Sequence, residues 1–143
     1  MIIGEPCFSH FRLEKMKNIL VVWYVAILVV LDQLSKFLIA HFYPGLIVQN
    51  KAMFFGLANV PFSLVISVII LVIFIAYAKY FLQLNFFVFA LIFAGASSNI
   101  LDRVFRGAIY DFIPFFSISY INLADLMIFS GLIIYLISVL KQN

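Results

Sequence analysis

Four stretches of this chain, residues 19–40, 61–78, 84–101 and 122–140, stay apolar over about the length a helix needs to cross a bilayer. A segment in lipid has no water to satisfy its backbone, so it folds as a helix that closes its own hydrogen bonds. Composition agrees: 66% of the 143 residues are hydrophobic and 10% are charged, against about 25% charged in a soluble domain. The expected fold class is an all-α integral membrane protein with four transmembrane helices. Residues 1–18 form a cytoplasmic tail and 19–143 a single membrane domain.

The first stretch follows Arg12, Lys15 and Lys17, as the core of a signal peptide would. No small-residue cleavage site follows it and three further spans do, so it reads as a retained helix. Residues 1–15 look unlike the rest of the chain, and Met16 is an alternative start. Arg12, Lys15, Lys17, Lys79 and Lys141 fall on one side of a four-span chain, and Lys51, Arg103 and Arg106 on the other. The positive-inside rule then places both termini in the cytoplasm.

The outer side holds two connections, 41–60 and 102–121. Leu46-Ile47-Val48 and Ala108-Ile109-Tyr110-Asp111-Phe112-Ile113 are β-prone, and Gly45, Gly56 and Gly107 punctuate them. A small sheet lying on the membrane is expected there, with Phe115, Phe116 and Tyr120 as interfacial aromatics. Gly45 and Gly56 would permit loop 41–60 to hinge.

A net charge of +3 is too small to suggest nucleic acid, and the basic residues sit near segment ends. Cys7 is the only cysteine, so no internal disulfide forms. The two histidines, His10 and His41, belong to no zinc-binding motif. No metal or organic cofactor is implied.

Of six carboxylates, four lie inside or at one end of an apolar segment: Asp32, Asp102, Asp111 and Asp125. A charge at membrane depth costs roughly 2.5–3.5 kcal/mol on insertion scales, so it marks a functional candidate. In the four-span topology all four lie at the outer side.

Asp32 and Lys36 share a helix face, and an ion pair between them explains both. Ser35-Lys36 raises a Ser–Lys dyad, but a general-base lysine must be neutral and Asp32 holds it charged. A supporting role beside an active site remains open. Asn50 serves equally as a turn former or as an amide that binds a peptide backbone. Asp102 beside Arg103 reads first as a local charge pair, although the guanidinium fork of Arg103 can organise several oxygens. Asn99 lies in the same stretch, after the small residues Gly95 to Ser98. Asp111 is either an exposed strand residue or, among apolar neighbours, an acid whose pKa rises towards neutrality. Asn122 with Asp125 three residues on resembles a capping box. Two close carboxylates share one proton, the arrangement by which aspartic proteases activate water. The short connection from Asp111 to Asp125 permits that meeting.

Taken in order, Asp32-Gln33-Leu34-Ser35-Lys36, Asn50 to Gly56, Asn99-Ile100-Leu101-Asp102-Arg103, Gly107, Asp111-Phe112-Ile113 and Asn122-Leu123-Ala124-Asp125 resemble the bacterial lipoprotein signal peptidases (type II signal peptidases). The resemblance implies an aspartic endopeptidase that cuts prolipoproteins just before the diacylglyceryl-modified lipobox cysteine. It implies Asp111 and Asp125 as the catalytic pair. Asn50, Asn99, Arg103 and Asn122 would hold substrate backbone and aspartates, and Asp32, Lys36 and Asp102 would be supports. The family fold is four transmembrane helices with a small extracytoplasmic β-cradle. The implied setting is the bacterial cytoplasmic (inner) membrane, with a monomer acting at its outer face on lipidated prolipoproteins among membrane lipids. Ala52, Ala94, Ser98, Ile121 and Leu126 depart from the family pattern, and all the polar positions keep theirs. The competing expectation is a non-enzymatic transport or assembly subunit that uses its Asp residues as contacts. A transport path places its acids near the bilayer midplane.

Overall fold

The computed structural model describes residues 5–51, 62–78, 85–116 and 119–141, with side chains from residue 19 onward. Helix α1 spans Glu5–Phe42 and ends in a 3-10 turn at Pro44–Leu46. Strand β1, Val48–Asn50, follows, then helix α2, Ser63–Ala76, and helix α3, Phe86–Arg106. Three short strands come next: β2 at Ile109–Asp111, β3 at Ile113–Phe115 and β4 at Ser119–Ile121. Helix α4, Leu123–Leu140, ends the described fold.

Among the described residues, three helical segments are long and apolar enough to cross a membrane: Ile19–Phe42, Phe86–Arg106 and Leu123–Leu140. Helix α2 is apolar but has 14 residues, fewer than the roughly 20 a span needs. Its flanks, 52–61 and 79–84, lie outside the described residues, as does Gly56. The outward faces carry large apolar side chains, among them Val22, Trp23 and Phe37 on α1 and Phe129 and Leu136 on α4. In water such faces would be a liability, and in lipid they are solvated.

Helix α3 is central and packs against α1, α2 and α4. Its buried stripe steps by four and three residues through Val88, Ile92, Gly95, Asn99 and Asp102. That spacing keeps one face inward. The stripe begins apolar and turns polar at Ser98, so the polar interior gathers at the C-terminal end of α3.

Helices α3 and α4 approach closely because glycine permits it. A Cβ on Gly95 would lie 2.4 Å from the carbonyl oxygen of Ala124, and one on Gly131 would lie 2.6 Å from Cγ1 of Ile92. Small residues at such crossings let backbones meet where lipid offers no hydrophobic drive.

The sequence places the end of the third span at Leu101, with Asp102 and Arg103 in the outer connection. The helix instead runs to Arg106. Asp102 and Arg106 pair across one turn, and Gly107 ends the helix at φ 73°. A left-handed C-terminal residue of this kind suits glycine.

The β-prone segments form two separate two-stranded ladders rather than one sheet. Strand β1 pairs antiparallel with β2, setting Val48 opposite Asp111 and Asn50 opposite Ile109. Strand β3 pairs antiparallel with β4, setting Ile113 opposite Ile121. The second ladder folds the chain back so that Asn122 starts α4 beside the end of β2.

Candidate active site

Strand β2 delivers Asp111, and the first turn of α4 delivers Asp125. Asn122 caps α4: its Oδ1 accepts the Asp125 N–H at 3.0 Å, and Asp125 Oδ2 accepts the Asn122 N–H at 3.3 Å. The capping box legible in the sequence is therefore present. Asn122 also does more than cap. Its Nδ2 donates to Asp111 Oδ1 at 2.6 Å and to Asn99 Oδ1 at 3.2 Å. Asn99 in turn donates from Nδ2 to Asp125 Oδ1 at 2.8 Å. Asn50, brought across by the β1–β2 ladder, donates from Nδ2 to Asp111 Oδ2 at 3.0 Å.

Each of the four carboxylate oxygens of Asp111 and Asp125 thus receives an N–H donor. Asp111 is 1% exposed, so the exposed-strand alternative is ruled out. Burial pushes its pKa up to about 6, and the nearby charge of Asp125 adds to that rise. The amide of Asn50 opposes it most strongly, followed by Asn122 and the cation of Lys36. Asp125 is half-buried and faces an apolar pocket of about 120 Å³ lined also by Phe115, Ile121, Leu126 and Phe129.

Behind the pair lies a buried charge cluster. Lys36, 0% exposed, contacts Asp32 Oδ2 and Asp102 Oδ2 at 2.6 Å each. Asp32 Oδ1 accepts the backbone N–H of Ala124 at 2.9 Å, and its Oδ2 accepts the Ser98 hydroxyl at 2.7 Å. Asp102 also pairs with Arg106. Gln33 donates to Asp102 Oδ1 at 2.9 Å and accepts from Arg106 at 2.9 Å. The Asp32–Lys36 ion pair expected from spacing is present. The Ser–Lys dyad is not: Ser35 Oγ donates to the Asp32 carbonyl at 2.7 Å, and Lys36 is held between two carboxylates.

One network therefore joins Asp32, Lys36, Asn50, Asn99, Asp102, Asp111, Asn122 and Asp125. Arg103 is half-buried beside it and feels the charges of Asp125, Asp111 and Asp102. Gln33, Ser98 and Arg106 are members that sequence reasoning did not assign. The four-residue spacing of Asp102 and Arg106 was the available signal. Among the described residues, no three of His, Cys, Asp and Glu are grouped as metal ligands.

A carboxylate set of this kind, one member buried and the other half-buried, can hold one proton and activate water. Comparisons with known proteins bear on that chemistry. A family described as signal peptidase (SPase) II matches residues 24–141. The lipoprotein signal peptidase of Rickettsia canadensis (strain McKiel) is 33% identical over 132 residues, which cover 75% of this chain and 67% of that protein. That of Staphylococcus aureus (strain bovine RF122 / ET3-1) is 30% identical over 137 residues, covering 80% of this chain and 84% of that one. A bacterial membrane enzyme solved by the in meso method at 2.3 Å resolution superposes with a TM-score of 0.68, at 26% identity, over 85% of this chain and 87% of that one.

Proposed function

This chain belongs to the signal peptidase II family, and from that membership and the carboxylate pair we propose that it is a membrane aspartic endopeptidase. It removes signal peptides from prolipoproteins, cutting just before the diacylglyceryl-modified lipobox cysteine. The observation that carries the aspartic mechanism is the convergence of Asp111 and Asp125 on Asn99 and Asn122.

The pair shares one proton, which belongs to the pair rather than to either residue. One carboxylate takes a proton from water as the oxygen attacks the scissile carbonyl carbon. The other donates its proton to the carbonyl oxygen. The tetrahedral species then collapses, the C–N bond breaks, and a proton returns to the leaving amine. Asn50, Asn99 and Asn122 hold the carboxylates in place through amide donors. Arg103 supplies positive charge near the developing oxyanion.

The proposed topology has α2 as a fourth span, both termini in the cytoplasm and the β ladders outside. The enzyme works as a monomer at the outer face of the bacterial cytoplasmic membrane, on the lipidated segment of the prolipoprotein. Residues 19–143 form the catalytic domain. Asp111 and Asp125 lie on a strand and on the first turn of a helix, at one end of the spans. A midplane transport path has no support from that placement.

The test uses purified protein in detergent with a lipobox peptide, diacylglyceryl-modified or unmodified. Cleavage before the cysteine in the lipidated peptide alone, lost in Asp125→Asn, is the expected result. A folded wild type that cleaves neither peptide overturns the proposal.

A further inference from the structure

The buried cation of Lys36 has three donors and three acceptors. Two acceptors are the carboxylates of Asp32 and Asp102, each at 2.6 Å. The third is Asn99 Oδ1 at 3.3 Å. An ammonium has three N–H groups and accepts nothing, so this lysine is saturated.

The third contact has a directional effect. An asparagine amide fits its site in two ways that exchange oxygen and nitrogen. With the oxygen toward Lys36, Asn99 presents its nitrogen to Asp125 Oδ1 at 2.8 Å. The half-turn alternative sets the Asn99 nitrogen against Lys36 Nζ and Asn122 Nδ2, which are both donors. It also sets the Asn99 oxygen against the Asp125 carboxylate. Donor against donor and acceptor against acceptor in a buried site forfeits several hydrogen bonds at once. Asn122 is tied to the same choice, because its Nδ2 bridges Asn99 Oδ1 and Asp111 Oδ1.

Resting on the peptidase reading above, we propose that Lys36 is a positioning residue of the cleavage reaction: it contacts neither Asp111 nor Asp125, and it fixes the Asn99 amide so that a donor faces Asp125. Without the cation, the flipped amide accepts a hydrogen bond from protonated Asp125, and the proton is held on Asp125 instead of being shared by the pair. Lys36 also contributes positive charge near Asp111. The other charged groups facing the pair are Asp32 from α1 and Arg103 from α3.

Two variants test this: Lys36→Met, and Lys36→Met combined with Asp102→Asn. The first leaves Asp32 buried without a counter-ion and is liable to misfold. The second removes one charge of each sign, so the net charge of the buried cluster is unchanged. For both, thermal unfolding, kcat, KM and an infrared pH titration of the protonated carboxyl band would be measured. Asp111→Asn serves to assign the band.

The double variant is expected to fold, to lose about 10²-fold in kcat and to keep KM nearly unchanged. The protonated carboxyl band of the pair should titrate at higher pH than in wild type. Stability restored without kcat restored separates positioning from scaffold. A folded double variant with wild-type kcat and an unmoved carboxyl titration overturns the proposal. If the wild type fails to cleave, the peptidase reading falls, and the infrared titration alone judges the role of Lys36.

Discussion

Asn122 donates its side-chain amide to Asp111 across 2.6 Å while its own oxygen receives the backbone N–H of Asp125. One helix cap thereby fixes the spacing between two carboxylates from different elements. Asn122→Ala should remove both contacts. The lost cap costs about 1 kcal/mol of stability, and the loosened pair should cost about 10²-fold in kcat. Thermal unfolding and cleavage kinetics on one preparation check the two effects. A variant with only the stability loss would show that the cap is all Asn122 provides.

Asp111→Asn and Asp125→Asn should each abolish cleavage. Members of a unit fail together, so the double variant should be no worse than either single one. Each single loss is expected to exceed about 10³-fold, with the fold retained. Normal turnover by either variant would remove that residue from the chemistry.

Burial pushes the pKa of Asp111 up from 3.8 to about 6. Between those values the folded protein holds a proton that the unfolded chain has lost, so stability falls as pH rises through this window. The destabilisation is absent below about pH 4 and complete above about pH 6. Asp111→Asn removes it and should raise the melting temperature above pH 6 while leaving it almost unchanged near pH 4. Equal shifts at both pH values would contradict this origin.

The Asn50 amide favours the ionised form of Asp111. Asn50→Ala should therefore move the acid limb of the activity profile to higher pH, by up to about one unit for a single lost hydrogen bond to a charge. A lower kcat with an unmoved limb would mean that Asn50 acts on substrate alone.

Gly95→Ala should be more damaging than Gly131→Ala. The first puts a methyl group 2.4 Å from a backbone oxygen, whereas the second meets a flexible isoleucine side chain at 2.6 Å. Overpacking of this kind costs roughly 1–3 kcal/mol. Gly95 lies one turn before Asn99 on α3 and touches Ala124, the neighbour of Asp125. Its substitution should lower activity as well as stability, which cleavage and unfolding assays on both variants will compare.

The local features of this molecule were legible in its sequence. Hydropathy located three helices long and apolar enough to span, four-residue spacing paired Asp32 with Lys36, and the Asn122–Asp125 interval announced a capping box. The link between Lys36 and Asn99 was not legible, since it crosses 63 positions and exists only where α1 packs on α3. The double duty of Asn122 came only with the family resemblance, because capping alone accounts for its position. Asp102 and Arg103 looked like the start of a loop, since charge ends an apolar run whether or not the backbone stays helical. The resemblance to a family supplied the pairing of Asp111 with Asp125, which spacing alone left as one possibility.

The charged side chains of α1 and α3 also bear on how the chain enters a bilayer. Asp32 and Lys36 sit one turn apart on α1, and Asp102 and Arg106 one turn apart on α3. Each helix thus carries its own counter-ion and needs none from the other. On docking, Lys36 takes Asp102 as a second partner. Assembly thus adds a shared ion pair to two within-helix pairs that both persist, and the active site is completed by the same contacts that hold the helices together.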